Sequence, residues 1–294
     1  MKTEHKGERL DVPKKQSNFL QVMKRLSRQK GAMLGLAIVI VMLVLAVLSP
    51  WIIPYPYEEL NVKEAFQTPS AAHLFGTDNL GRDVFSRLLY GARYSLLIGF
   101  GAAALSHLLG MILGSVAGYF GGKVDNILMR ICDVFQSIPN IIMNIVLVCA
   151  LGDGMDKTIL ALGLSATPNV ARIMRSSILS IRKMEYIDAA TSVNCSNARI
   201  IVKHAIPNAL SPILVNFTMG VAGAIMGAVT LSYIGLGVQP PNPEWGAMLT
   251  AGRQYILKYP YLCIFPGLMI VITILALNLL GDGLRDAMDP KLKK

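Results

Sequence analysis

The side chains that carry most enzyme chemistry are few in this chain and poorly spaced for it. A zinc protease needs two histidines four apart on a helix with a glutamate between them, and His5, His73, His107 and His204 never meet that spacing. Cys132, Cys149, Cys195 and Cys263 form no CxxC pair and have no histidine at metal-ligand spacing, so neither a disulfide scaffold nor a zinc site is predicted. They read as small apolar packing residues. A membrane serine enzyme built on Ser106 or Ser165 with His107 meets an obstacle at once, because Ser106 and His107 are adjacent and point to different helix faces. Asp188 and Asp282 are the pair that could share a proton as an aspartic dyad. However, Asp188 falls in a basic polar segment and Asp282 past the end of the last apolar run. GYFGGKV, at 118–124, has one residue too few between its glycines, and no Ser or Thr after Lys123, to be a phosphate-cradling GxxxxGK[ST] loop. The chain is therefore expected to hold no catalytic residue, metal or cofactor of its own, and active transport through it would draw on an ion gradient or on another subunit.

The elements that position these residues are membrane helices. Hydrophobic residues make up 53% of the 294 and charged residues 16%, against about a quarter charged in soluble domains. The apolar residues fall in runs of about twenty, the length that crosses a bilayer core of roughly 30 Å. An ordinary soluble enzyme is excluded. The net charge of +10 raises nucleic-acid binding, but that requires a basic, aromatic-studded face on a soluble module, and none is visible.

Six spans are predicted, at about 33–53, 94–118, 130–151, 158–178, 207–237 and 261–280. The first follows a basic tail, 1–32, that ends in a short interfacial helix, and is too long for a signal-peptide core. A Pro-, Asn- and Asp-rich extracellular loop occupies 54–93, the core membrane domain 94–283, and a short tail 284–294. Gly110, Gly114 and Gly118 share a helix face and would seat a neighbouring helix closely. Gly220, Gly223 and Gly227 suggest close packing or bending in the fifth span. With the N-terminus inside, 21 of the 28 Lys and Arg lie on the cytoplasmic side and 7 outside, so both termini are cytoplasmic. The acids divide 10 inside and 8 outside, which assigns the positive excess to the inner face. His107 is the strongly polar residue at mid-span. It reads either as a neutral histidine bonded to a neighbouring helix or as a residue on a substrate path.

Residues 182–208, RKMEYIDAATSVNCSNARIIVKHAIPN, are too polar to span and too long for a turn. Ile187, Ala190 and Val193 are predicted to share one helical face, and Ile200, Ile201 and Ile206 another. Asn194 and Ser196 punctuate the two helices, Asn being tolerant of the left-handed backbone that ends a helix. Such a cytoplasmic platform is something an external protein could push.

Here a resemblance emerges. Asp188-Ala189-Ala190, then Asn194, then Ile206-Pro207 resembles the EAA motif of membrane subunits of ATP-binding cassette importers, with Asp188 in place of Glu, Asn194 in place of Gly and His204 in place of Ile. HLFGTDNLGRDVFSRLLYGARYSLLIG (73–99), SYIGLGVQPPNPEW (232–245) and FPGLMIVITILALNLLGDGLRDAMDP (265–290) resemble the second, C-type permease subunit of dipeptide, oligopeptide and nickel importers, and the likeness covers nearly everything from about residue 31. It implies an all-α type I importer permease in a bacterial or archaeal cytoplasmic membrane. The implied partners are a second homologous permease subunit, two cytoplasmic ATPases that bind the ATP, and an extracellular binding protein. The implied cargo is di- or oligopeptide, with nickel chelates or glutathione as alternatives on the same architecture. A lone gradient-driven carrier or channel is the alternative from another class. The residues carried over as the coupling helix and its exit are Glu185, Asp188, Ala189, Ala190, Asn194 and Pro207. The loops at 55–93 and 238–260 are candidate docking surfaces for the binding protein, Pro240, Pro241 and Pro243 stiffening the second. Asp78, Arg82 and Asp83 form either part of that surface or an internal turn held by an ion pair.

Overall fold

The computed structural model describes residues 18–288, and helices form their framework, with one isolated antiparallel bridge between Thr77 and Asp83. A short helix α1 (Asn18–Leu26) leads into α2 (Lys30–Ile52), whose run of Leu, Ile, Val and Ala ends just before Pro54 and Pro56. The rest of the basic N-terminal tail and residues 289–294 lie outside the described residues.

An outer layer of turns follows before α3 (Val84–Phe120), 37 residues long. It begins ten residues earlier than the apolar run suggests, because Asp83 caps it by accepting a 2.7 Å hydrogen bond from the Ser86 amide. Gly121, with φ +65°, ends it. The glycine stripe of α3 faces α6 (Met155–Ile181). A Cβ at Gly110 would sit 2.5 Å from the Val170 Cβ, one at Gly114 would overlap the Ala171 carbonyl, and one at Gly118 would lie 2.9 Å from the Arg175 carbonyl. Lipid is as apolar as leucine, so membrane helices gain little from burying apolar surface against one another. Close van der Waals packing of this kind is what joins them.

The third predicted span is not a single rod. α4 (Gly122–Gln136) and α5 (Asn140–Leu151) meet at 91° across Ser137, Ile138 and Pro139, where the proline ring cannot continue the helix behind it. α2, α3, α11 (Tyr261–Met288) and the continuous stretch Asn197–Tyr233 are long and apolar enough to cross a membrane, and the bent pair makes a fifth crossing if counted as one. The fourth predicted span lies in α6. Its 27 residues reach about 40 Å but carry Asp156, Lys157, Arg172 and Arg175. The remaining elements are α7 (Glu185–Ser192), α8 (Asn197–Ile200), one π-helical turn (Ile201–Ala205), α9 (Ile206–Tyr233) and α10 (Trp245–Gly252). α11 runs past the predicted end of the sixth span, so the start of the proposed C-terminal tail is helical.

Contacts sort the two ends. α1 and the start of α2 pack on the end of α11 through Leu26, Ala32, Leu280 and Ala287, which places the two ends of the described chain together. At the opposite end the turns of 54–83 join the 238–261 segment, for example by the Tyr261 hydroxyl donating to the Thr77 and Gln67 carbonyls at 2.9 and 3.0 Å.

Candidate functional site

The helical platform of 182–208 is built on the adjoining ends of α3, α6 and α9. Ile187 and Ala190 of α7 and Ile200 and Ala205 beyond it are buried with Met174, Ile178, Ala209 and Ile213. The Tyr119 hydroxyl at the end of α3 donates to the Asn197 side-chain oxygen at 3.0 Å. Asn194 has φ +59°. Around it the Cys195 amide donates to the Ala190 carbonyl at 3.1 Å and the Asn194 amide to the Thr191 carbonyl at 2.9 Å, the pair of bonds of a Schellman cap. Asn194 therefore does what its residue type predicted.

Of the six residues singled out here, Glu185, Asp188, Ala189 and Asn194 are exposed on the platform, and Pro207 is exposed at the start of α9. Ala190 is turned inward and packed, so only Ala189 of the two alanines is offered to a partner. Val193 departs from expectation at 73% exposed. Steps of three residues fall about 60° short of a full turn each, which carries Val193 off the face shared by Ile187 and Ala190. Met184, Tyr186, Val193 and Val202 leave the platform's outer surface partly apolar. Asp188 and Asp282 are both exposed rather than enclosed in a common pocket, which removes the setting an aspartic dyad requires.

A second feature lies between the helices. α3, α5, α6 and α9 enclose a groove of about 430 Å³ lined by His107, Asn140, Asn144, Asn169, Asn216 and Thr230, among small and apolar residues. None of its described lining residues is charged. Asn216 and Met219 also line a second opening of about 460 Å³ reaching Arg285 and Met288, so the groove continues toward the end of α11. The sequence reading found His107 but passed over the four asparagines. Their signal was isolated amides within apolar runs, two of them, Asn140 and Asn144, one helical turn apart. Within the groove the Ser165 hydroxyl donates to the Asn144 side-chain oxygen at 2.5 Å. Below it two ion pairs clamp α6 to α4: Arg175 grips Asp125 with both Nε and Nη2, the latter at 2.6 Å, and Arg172 reaches Asp133. The sequence had not singled out these pairs either.

On the outer side, GTDNLGRD is an internal turn. Asp78 accepts from the Arg82 Nε at 2.7 Å and from the Leu80 and Arg82 amides at 2.9 and 3.0 Å, while Asp83 caps α3 and meets His73 Nδ1 at 2.9 Å. Nearby, burial and the adjacent Glu58 push the Tyr57 phenol pKa up, and its ring stacks on Tyr90 at 4.1 Å. Glu244 closes this layer. Its two carboxylate oxygens accept from Ser95 Oγ, Ser232 Oγ and the amides of Gly246 and Ala247, at 2.8–3.1 Å.

A helical membrane core with a polar groove and a short helical platform at one end is the arrangement of an ATP-binding cassette importer permease. The same fold occurs in the inward-facing MetNI methionine ABC transporter, with a TM-score of 0.55 over 69% of this chain and 97% of that one at 22% identity. It occurs also in an amino acid ABC transporter crystallised with histidines, with a TM-score of 0.52 over 69% and 94% of the two chains at 15% identity. Residues 110–294 match the model for the binding-protein-dependent transport system inner membrane component, and residues 17–69 that for the N-terminal TM domain of oligopeptide transport permease C. The chain belongs to this family of multi-pass membrane permeases, which work in assemblies with further subunits. It is 41% identical over 277 residues to the dipeptide transport system permease protein DppC of Alkalihalophilus pseudofirmus, covering 94% of this chain and 91% of that one. It is 41% identical to the oligopeptide permease OppC of Bacillus subtilis, over 95% and 91% of the two chains. The glutathione permease GsiD of Escherichia coli is 42% identical over 92% and 89%.

Proposed function

We propose that this chain forms, with a second homologous permease subunit, the pathway by which di- and oligopeptides enter a bacterial or archaeal cell. Two cytoplasmic subunits bind and hydrolyse ATP, and an extracellular binding protein delivers cargo to the outer loops. The peptide assignment is supported by relatives named for dipeptide and oligopeptide transport along nearly their whole length, and by a groove that offers amides and hydroxyls without net charge. The glutathione relatives are compatible with the same reading, glutathione being itself a peptide.

The observation that carries the mechanism is the two-sidedness of α7. Its inner side, Ile187 and Ala190, is packed onto the ends of α6 and α9, while Glu185, Asp188 and Ala189 face outward. In this reading an ATPase cleft receives α7 closely because Ala189 is small, with Asp188 placed to pair with a basic group there. Closure of the ATPase dimer then moves α7 together with α6 and α9 and alternates access to the groove. The test is the assembled importer in liposomes carrying Asp188→Ala and Ala189→Arg together. ATP-driven uptake is expected to fall to background while the permease pair still assembles. Retention of wild-type uptake by the double variant, or uptake by the chain without any ATPase subunit, would refute the reading.

A further inference from the structure

α5 opens on the groove at its N-terminal end. Its first hydrogen bond runs from the Met143 amide to the Pro139 carbonyl at 3.0 Å, which leaves the amides of Asn140, Ile141 and Ile142 without backbone partners. No side chain caps them. Pro139 stands at the cap position with no polar side chain to offer, and the nearby Ser137 hydroxyl is turned back to the Val134 carbonyl at 2.7 Å. All three residues are exposed, Ile141 at 47% and Ile142 at 49%, and Asn140 and Ile141 line the groove. The free donors at the head of a helix act as about half a positive charge.

A second group converges on the same place. Asn144 lies one turn further along α5, and a helical side chain leans back toward the N-terminus, here over the open amides. The residue is only 9% exposed. Its Oδ1 is occupied by the Ser165 hydroxyl at 2.5 Å, which turns the NH2 end away from that contact. Nδ2 has no hydrogen-bond partner, yet it is not sealed off: it keeps surface on the groove that Asn144 lines. An N–H can only donate, so Nδ2 and the three amides present donors alone. Asp133, the carboxylate that precedes them in the chain, is engaged by Arg172, and no described residue of the groove wall is charged. Converging donors at a helix N-terminus, with no carboxylate of the wall to fill them, fit an anion.

We propose that the start of α5 seats the C-terminal carboxylate of the peptide in transit, which accepts hydrogen bonds from the amides of Asn140, Ile141 and Ile142 and from Asn144 Nδ2. This rests on the peptide-importer reading above and names the part of the cargo that is recognised. A linear peptide carries that carboxylate whatever its side chains, so the seat selects the class of cargo and not its sequence.

The experiment places the permease pair with its ATPase subunits in nanodiscs, without nucleotide or binding protein, and titrates trialanine and trialanine amide by saturation-transfer NMR. The two probes differ only at the C-terminus. Wild type is expected to bind trialanine at least about tenfold more tightly than the amide, the equivalent of roughly 1.4 kcal/mol from hydrogen bonds to a charged group. Asn144→Leu, in which the Ser165 hydroxyl keeps the Leu162 carbonyl as an acceptor at 3.1 Å, is expected to cut that ratio to about threefold or less. Asn140→Pro removes one amide and one side chain and suits the first helical position behind the extended Pro139; it is expected to cut the ratio likewise. Both variants should bind the amide within about twofold of wild type. Equal binding of the two probes by wild type overturns the proposal, as does no binding of trialanine, or an undiminished ratio in both variants. The wild-type comparison decides even if neither variant assembles. Uptake of trialanine by the importer with its binding protein in proteoliposomes is measured separately. No uptake refutes the peptide-importer reading, and the seat falls with it, whereas uptake with equal binding of the two probes refutes the seat alone.

Discussion

Replacing Glu244 tests how the outer layer is held. The side chain is 1% exposed and its two oxygens accept four hydrogen bonds, two from serine hydroxyls and two from the backbone amides that open α10. In Glu244→Ala the hydroxyls can rotate toward other acceptors, but the Gly246 and Ala247 amides cannot. One orphaned buried amide and one half-buried amide, at up to about 1–3 kcal/mol each, give an expected loss of roughly 2–5 kcal/mol. Glu244→Gln keeps one oxygen and turns an NH2 toward the other pair of donors. One serine can reverse its role and accept from that NH2, which leaves a single amide unpaired and a cost of about 1–3 kcal/mol. Denaturant titration of the purified complex should therefore order the unfolding midpoints as wild type, Glu244→Gln and Glu244→Ala, from highest to lowest. An alanine variant as stable as wild type, or a glutamine variant less stable than the alanine, would refute this account of the layer.

Gly114→Val forces a side chain into the Ala171 carbonyl and is expected to cost about 1–3 kcal/mol by overpacking. Gly223→Ala, with nothing within 4 Å of the added carbon, is expected to match wild type in the same titration. At the platform, Asn194→Gly should leave the end of α7 intact. Asn194→Val should loosen it by about 1–2 kcal/mol, because a branched side chain resists the left-handed backbone, and faster amide exchange across 185–195 would report the loosening.

The glycine stripe, the left-handed Asn194 and the long apolar helices were legible because each is a local rule: small residues at four-residue spacing, a backbone tolerance, a run length. The bend between α4 and α5 has a local cause in Pro139, but a proline alone does not fix its 91° angle. Val193 was misplaced because counting by threes drifts around a helix. The groove was hidden for a different reason. Asn140, Asn144, Asn169 and Asn216 come from three helices and converge only after packing, and so do the partners of Arg172 and Arg175. Those pairs join residues 39 and 50 positions apart, a separation at which spacing in the sequence carries no signal.

The length of α3 has a mechanical consequence. Its 37 residues form an uninterrupted rod of about 55 Å, well beyond the roughly 30 Å of a bilayer core. One end is anchored to the outer turns through Asp83 and the other to the platform through Tyr119. If a rod of this length tilted about its middle by about 5°, each end would move by roughly 2.4 Å, in opposite directions, and carry the contacts at that end with it. In the alternating-access cycle proposed above, such stiffness would tie opening on one face of the membrane to closing on the other.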